Sequence, residues 1–161
     1  MQLPTPQPEH EWLQQFVGDW AFEMEHAMVP DQPPEKLSGS NHVRSLDGLW
    51  ILNEGCGDMP GGGKATSIIT LGYDPAKQRF VGTFVASCMS HLWIYEGTLD
   101  ADRKVLTLDT EGPSFTDEGK LAKYQDIFEL PSPDHYILHS QTLQDDGSWN
   151  RFMTVHYHRT K

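Results

Sequence analysis

Cysteine is scarce in this chain of 161 residues, which contains only Cys56 and Cys88. The two stand far apart and form no CxxC pair, which excludes a zinc ribbon, a dithiol redox motif and a disulfide-rich secreted scaffold. Long apolar runs are missing as well, so we expect no membrane-spanning helix. The first residues show no basic and apolar leader pattern, and we therefore expect a cytoplasmic protein without a membrane partner.

Basic residues are also few, because 12 lysines and arginines stand against 23 aspartates and glutamates, for a formal net charge of −11. An acidic surface repels phosphate backbones, so the charge argues against nucleic acid as a partner. Hydrophobic residues make up 37% of the chain and aromatic residues 11%, which is enough for a packed core. A chain of this length corresponds to one domain.

The beginning of the chain combines a proline-rich segment with a helix signal. Prolines at every second position predict a flexible lead-in over residues 1–8, and residues 9–161 are expected to form a single domain. An apolar helical face follows the lead-in, and Gly18 then occupies the position of a helix cap. That face consists of Trp12, Leu13, Phe16 and Val17. We expect one short helix of about ten residues.

Beyond Gly18 the spacing of apolar residues changes from helical to alternating, which is typical of half-buried strands. Turn residues such as Asp47-Gly48 and Asp74-Pro75 separate the alternating segments. About ten strands are predicted. They cover residues 20–26, 38–46, 49–56, 65–73, 79–87, 92–99, 105–110, 122–130, 135–143 and 149–159. The connections are too short for parallel crossovers, so we expect an antiparallel all-β domain.

A closed or nearly closed up-and-down barrel is the architecture that best suits about ten such strands, because an open meander would leave two unpaired edges. A barrel of this size is too wide for its walls to meet and usually keeps room for one small ligand. We expect the N-terminal helix to cover one end of the barrel.

The segment Gly18-Asp19-Trp20 resembles the Gly-x-Trp that opens the first strand of calycin proteins, the superfamily of lipocalins and fatty-acid-binding proteins. In that superfamily a basic residue from the last strand packs over the tryptophan at the closed end of the barrel. The resemblance implies that Arg159 takes this role here. A guanidinium stacked on the Trp20 ring would stabilise the closure by about 0.5 to 2 kcal/mol.

A longer set of segments is similar to a bacterial calycin-like family of unknown function, distantly related to nitrobindin-type haem barrels. The matching segments are Gly18-Asp19-Trp20, Leu71-Gly72-Tyr73-Asp74-Pro75, Phe80-Val81-Gly82-Thr83-Phe84, Glu96-Gly97-Thr98-Leu99 and Val155-His156-Tyr157-His158-Arg159. They occur in the family's order and cover most of residues 9–161. The resemblance implies the barrel architecture and brings no catalytic motif with it.

Two carboxylates stand within apolar runs. Glu54 follows Leu49-Trp50-Ile51-Leu52, and Glu96 follows Trp93-Ile94-Tyr95. If these side chains face the interior, desolvation raises their pKa and suits them to acid–base chemistry or to binding the polar end of a ligand. The plainer interpretation is that each faces solvent or an interior water network.

Histidines are the other candidates for chemistry. His139 is the first candidate for a histidine of the barrel wall, and His26 shares a strand face with Trp20, Phe22 and Met24. A hydrogen-bonded polar role explains either residue without any catalysis. His156 and His158 alternate with inward-facing residues and are expected to face solvent, so we predict no metal site. Alternation alone does not assign a direction to His42 or His91.

The sequence therefore favours a small ligand-binding barrel over an enzyme, with an apolar or amphipathic molecule inside. The expected ligand-binding residues are His26, Trp50, Glu54, Phe84, Trp93, Glu96, His139, Gln141, Met153 and Tyr157. One alternative is a haem barrel with His139, or else His26 or His156, as the iron ligand. The other is an isomerase or decarboxylase that uses Glu54, Glu96 and His139 as acid–base groups. Monomer and homodimer remain equally open.

Overall fold

The computed structural model describes residues 1–26 and 33–161, apart from the side chain of His26. A short helix, α1, spans Pro8–Leu13 and continues into a 3₁₀ turn over Gln14–Phe16. Ten strands follow. They are β1 Gly18–His26, β2 Glu35–Leu46, β3 Trp50–Asp58, β4 Lys64–Asp74, β5 Arg79–Ala86, β6 Trp93–Leu99, β7 Val105–Pro113, β8 Leu121–Ser132, β9 His135–Leu143 and β10 Trp149–Arg159.

The strands form one closed antiparallel barrel in which each strand pairs with its neighbours in sequence and β1 pairs with β10. Trp20 lies opposite Arg159 in this closing pair. The prediction of an all-β up-and-down barrel with a short N-terminal helix is confirmed. Closure supplies hydrogen-bond partners to strands that would otherwise form two exposed edges.

The helix and the 3₁₀ turn cover one end of the barrel, as predicted. Trp12, Leu13 and Phe16 are almost fully buried there. The Trp12 indole Nε1 donates to the carbonyl oxygen of Arg103 at 2.7 Å, and His10 Nε2 donates to that of Tyr73 at 3.0 Å. These bonds join α1 to the β6–β7 turn and to the end of β4. The segment is therefore fixed by apolar burial and by contacts with two separate parts of the barrel.

The barrel interior differs between its two ends. Next to α1, inward-facing side chains such as Leu71, Leu106 and Phe128 are buried in a continuous apolar core, which we call the packed half. Towards the other end, inward-facing residues on almost every strand are only partly buried, and we call this region the open half. Its members include Phe22, Met24, Ser67, Phe84, Ala86, Thr110, Asp126, Thr142 and Met153. The helix thus closes a filled end, and no helix among the described residues covers the opposite end.

Glycines on neighbouring strands make room for the aromatic ring of Phe22. A Cβ atom on Gly39 would lie 2.4 Å from this ring, and one on Gly57 would lie 2.5 Å from it. Gly112 provides the same kind of space under the Trp93 ring, where a Cβ atom would come within 2.2 Å. The rings of Phe22 and Trp93 thus lie directly against the backbone of nearby strands in the open half.

The only helices within residues 1–26 and 33–161 are short, and none has the length and apolar character needed to cross a membrane.

Candidate functional site

A carboxyl group lies on the inner face of the barrel where the packed half meets the open half. Asp126 on β8 stands opposite Leu108 on β7 and Ser140 on β9, both of which are buried. The Ser140 hydroxyl donates to one carboxylate oxygen of Asp126 at 2.6 Å, and the Tyr95 hydroxyl donates to the other. Three strands therefore position one interior carboxylate between two neutral donors.

The surroundings of Asp126 change its acidity. Burial raises the pKa of this carboxyl above its usual value of 3.8, although the hydroxyls of Ser140 and Tyr95 oppose the rise. Burial also raises the pKa of Tyr95 well above its usual range, and the nearby Asp126 charge adds to that effect. Tyr95 consequently keeps its proton at neutral pH and acts as a hydrogen-bond donor to the carboxylate.

Stacked aromatic rings extend this site across the barrel. Tyr157 on β10 lies face to face with Tyr136, with ring centres 4.3 Å apart, and Tyr136 meets the Trp20 ring edge-on at 4.6 Å. Burial raises the pKa of Tyr157, and the Asp126 charge contributes, so the two groups influence each other electrostatically. The aromatic stack connects the interior carboxylate with the closing pair of strands.

A second group of polar side chains lies on the opposite wall. The Asn41 Nδ2 donates to the Asn53 Oδ1 at 2.7 Å, and both residues are buried. Among the described residues, the side-chain oxygen of Asn41 and, on the Asp126 side of the barrel, the hydroxyl of Thr110 are buried without a hydrogen-bond partner, whereas the hydroxyl of Tyr136 interacts with Asn53. Buried polar atoms normally have such partners, so Asn41 and Thr110 are exceptions.

Aromatic side chains surround the rim of the open half. The Trp93 and Tyr124 rings meet edge-on at 5.3 Å, and Phe115 and Phe152 pack against Tyr124 while remaining largely exposed. His91 packs edge-on against Trp93 at 4.7 Å. The entrance is therefore lined by large apolar surfaces, which suit an apolar body better than a strongly hydrated one.

Four of the predicted ligand-binding residues face the interior. Phe84 and Met153 are partly buried there, whereas Trp93 and Tyr157 are almost fully buried. Tyr157 lies beside the polar site, and Trp93 lies at the rim. His26 ends β1, and its side chain is outside the described part of the structure.

The other predicted residues lie on the outer face, which for Glu54 and Glu96 is the plainer of the two interpretations and for Trp50 and Gln141 does not fit a role inside the barrel. Trp50, Glu54 and Glu96 are exposed, because inward positions on their strands belong to Ile51, Asn53, Tyr95 and other buried residues. Gln141 points outward and donates to Gln125 at 2.8 Å. Apolar residues on the outer face, among them Ile68 and Ile94, obscure the alternation that should have separated the two faces.

His139 is buried on the outer side of the barrel wall, so its predicted interior position is also wrong. It lies opposite Ile127 and Thr154, and its Nδ1 is 3.0 Å from the Thr154 hydroxyl. Its Nε2 lies 3.5 Å from the Glu129 carboxylate. Glu54, Glu96 and His139 therefore stand on separate strands and do not form a common acid–base site.

Two of the three histidines predicted as iron ligands, His139 and His156, do not fit an interior haem. His139 is held by Thr154 and Glu129 on the outer side, and the exposed His156 contacts His135 at 2.9 Å, also outside the barrel. His158 stacks on His135 with ring centres 4.6 Å apart. His42 faces outward as well and pairs with Asp19 at 2.6 Å. Residues 1–26 and 33–161 contain no cluster of metal-ligating side chains suited to an ion.

The outer surface carries two open clefts. The larger, of about 810 Å³, crosses β1 to β5 and includes Asp19, His42, Glu54 and Cys56. The smaller, of about 410 Å³, includes Glu96 and Trp149. Glu54 lies 3.4 Å from the Arg44 guanidinium, and both side chains are about half exposed, so solvent screens this pair strongly.

The closing contact between the first and last strands matches the sequence expectation. The Arg159 guanidinium carbon lies 4.2 Å from the centre of the Trp20 ring. The same guanidinium donates to the carbonyl oxygens of Val17, Gln15 and Pro133 at 2.6 to 3.2 Å. This group is therefore fully occupied at the helix end and does not reach into the open half.

Sequence reasoning missed Asp126, Tyr95 and Ser140, the central residues of the interior site. In β8 the neighbours Ile127 and Phe128 are both buried, one on each side of the barrel wall, so the apolar pattern does not reveal which face Asp126 occupies. The spacing of two residues along β8 indicates the face of Asp126, because Tyr124, Asp126 and Phe128 share one side of the strand.

Comparisons with known proteins identify the family and the fold. A family model described as a protein of unknown function, DUF1579, matches residues 5–159. No curated protein matches the sequence significantly.

The crystal structure of Rv2717c from M. tuberculosis superposes with a TM-score of 0.64 at 12% identity, covering 98% of this chain and 100% of its own. A de novo designed fluorescence-activating β-barrel superposes with a TM-score of 0.51 at 12% identity, covering 93% of this chain and 98% of its own. Such distant likeness shows a shared fold.

Proposed function

The chain belongs to the DUF1579 family of proteins of unknown function, and we propose that it binds a small apolar or amphipathic molecule in the open half of its barrel. The observation that carries this proposal is the change in burial along the interior. Inward-facing residues are buried near α1, whereas beyond Asp126 most of them are partly exposed, with Leu37, Trp93 and Tyr124 as the buried exceptions. A pocket with apolar walls and a few converging polar groups is typical of small-molecule sites.

The chemistry of the walls supports an amphipathic ligand. Phe22, Phe84 and Met153 offer apolar surface, and the hydroxyl and carboxyl groups around Asp126 offer a polar end at the inner boundary. An apolar body would replace water along these walls, while its polar group would reach the carboxylate. The Trp20–Arg159 contact supports a relationship with calycin barrels, and the two free cysteines support action in the cytoplasm.

A neutral environment-sensitive dye, Nile red, tests the proposed binding. Thr142 faces inward in the open half, opposite Tyr124, and lines neither outer cleft, whereas Thr66 is exposed on the outer face and lines the larger cleft. We expect the Thr142→Phe substitution to fill part of the interior and to weaken dye binding at least tenfold. Thr66→Phe is the matched control, because it adds the same ring to the larger outer cleft.

Titration by dye fluorescence and by calorimetry gives the affinities of the wild type and of the two variants for Nile red. Normal binding by Thr66→Phe together with weak binding by Thr142→Phe would support the interior site. The opposite pattern would place the dye in the outer cleft and overturn the proposal. A wild-type protein that binds none of a panel of neutral dyes and alcohols would overturn it as well.

A further inference from the structure

Among the described side chains, the interior carboxylate has no cationic partner. Of the 12 lysines and arginines, all are exposed except Arg159, whose guanidinium is bonded to backbone carbonyls and stacked on Trp20. The ion pairs among the described residues do not include Asp126. Its two partners, the hydroxyls of Tyr95 and Ser140, are neutral. A buried charge is normally paired, and this one is compensated only by hydrogen bonds.

The groups facing Asp126 from the neighbouring strands add no positive charge. Leu108 faces it from β7 and Ser140 from β9, while Tyr95 on β6 and Tyr157 on β10 are the titratable groups that interact with it. Burial raises the pKa values of both tyrosines, which keeps them protonated and uncharged at neutral pH. Within the part of the chain that the structure describes, only the carboxyl contributes a formal charge to this part of the interior.

The unused hydrogen-bonding capacity of the interior also favours a donor-rich ligand. The unpaired Asn41 oxygen is an acceptor, and the unpaired Thr110 hydroxyl can accept as well as donate. Each oxygen of the Asp126 carboxylate has a lone pair beyond the one used by its hydroxyl donor. The aromatic rings of Tyr157 and Phe22, with centres 5.4 Å apart, present faces that attract cations.

We propose that the molecule bound in the open half carries a cationic nitrogen, attached to an apolar body and bound by the Asp126 carboxylate. This inference rests on the proposed function and names its ligand class as an organic ammonium. The net charge of −11 raises the local concentration of such cations around the barrel and disfavours the approach of carboxylate-bearing lipids. The aromatic rim then contacts the apolar body as the nitrogen reaches the inner carboxylate.

Three probes of equal chain length separate the effect of charge from that of apolar burial. They are octylammonium, 1-octanol and octanoate, each titrated by calorimetry at neutral pH and moderate salt. We expect wild-type protein to bind octylammonium at least tenfold more tightly than 1-octanol and to bind octanoate most weakly. This order is measured without any substitution, so it does not depend on the folding of a variant.

Asp126→Asn removes the interior charge, and Asp109→Asn is its control. Asp109 lies on the outer face of the neighbouring strand β7, where it accepts a hydrogen bond from Gln125, so its substitution changes the net charge equally and leaves the interior intact. We expect Asp126→Asn to reduce octylammonium affinity at least tenfold and 1-octanol affinity less than threefold. Asp109→Asn should change neither by more than about twofold, since solvent screens exposed charges.

The outcomes separate the two proposals. If 1-octanol binds as tightly as octylammonium, or if Asp126→Asn folds and keeps the preference for the ammonium, the cationic ligand class is overturned and interior binding stands. If octanoate binds best, the ligand class is likewise overturned. If none of the three probes binds and Nile red also fails, the proposed binding function itself is overturned.

Discussion

Arg159 on the last strand stacks its guanidinium on the Trp20 ring of the first strand, with 4.2 Å between the guanidinium carbon and the ring centre. The contact joins the two strands whose pairing closes the barrel. Backbone carbonyls of Gln15, Val17 and Pro133 accept hydrogen bonds from the same group. One side chain thus connects the 3₁₀ turn, the β8–β9 turn and both closing strands.

Substitution of Arg159 is therefore expected to weaken the closure. Arg159→Ala should lower the free energy of unfolding by about 2–4 kcal/mol, because it removes the stacking and several hydrogen bonds. Arg159→Lys should recover part of the loss, since an ammonium stacks but lacks the planar set of donors. Urea denaturation measures both. Arg44→Ala, which breaks only the exposed contact with Glu54, should cost less than about 1 kcal/mol.

The Phe22 ring and Gly57 should be energetically coupled. A Cβ atom at position 57 would lie 2.5 Å from the ring, so Gly57→Ala is expected to cost about 1–3 kcal/mol through overpacking. Phe22→Leu removes the clash and should reduce the cost of Gly57→Ala by about 1 kcal/mol or more. A double-mutant cycle in urea gives the coupling energy. Strict additivity of the two substitutions would contradict the contact.

The raised pKa of Asp126 predicts a pH dependence of stability. Between the usual value of 3.8 and the raised value, the folded protein binds a proton more tightly than the unfolded chain, so this group makes stability fall as pH rises. Above the raised pKa the carboxyl is charged in both the folded and the unfolded state, so its effect on the free energy of unfolding no longer changes with pH. Asp126→Asn lacks this titration. We expect wild type to gain stability relative to Asp126→Asn as pH falls through that window, as measured by urea unfolding at several pH values.

Stabilisation of the protein by octylammonium provides a further test of Asp126. A bound cation favours the charged carboxylate, so octylammonium should stabilise wild type more strongly as pH rises above the pKa of Asp126. Thermal unfolding with and without octylammonium measures this effect. A stabilisation that does not change with pH would show that Asp126 does not contact the ammonium.

The histidines on the outer face should make the stability of the protein sensitive to acid, independently of Asp126. Burial lowers the pKa of His135 below its usual 6.5, and the neighbouring His158 and His156 lower it further. Between the lowered value and 6.5 the unfolded chain binds more protons, so stability falls as pH falls through this window. His135→Gln should flatten the decrease in melting temperature between about pH 8 and pH 5. An unchanged pH profile in this variant would contradict the prediction.

The barrel could be predicted from the sequence because its signals are local. Alternating residues, turn residues at short intervals and an apolar helix followed by Gly18 each require only a few neighbouring positions. The closing pair of Trp20 and Arg159 was also accessible, since it is implied by the resemblance to calycin proteins. These features together determine the strand order and the covered end.

The interior site was less accessible because it depends on which face each residue occupies. Exposed apolar residues such as Ile94, which is 63% accessible, lie between inward-facing ones and disguise the alternation. The direction of Glu96 was consequently left open, and the structure places it outside. Asp126 was not predicted because its neighbours Ile127 and Phe128 are both buried, although they lie on opposite sides of the wall. Packing across the barrel, rather than local pattern, decides these positions.

The pairing of β1 with β10 also has a consequence for folding during synthesis. The bond from Arg159 to the Val17 carbonyl spans 142 positions, so the ring of strands cannot close until nearly the whole domain has left the ribosome. Until then β1 and the growing end of the sheet present unpaired edges, which can pair with other chains. Contacts of such sequence separation also slow folding. The pairing of the last strand therefore closes the barrel and also limits how early folding can finish.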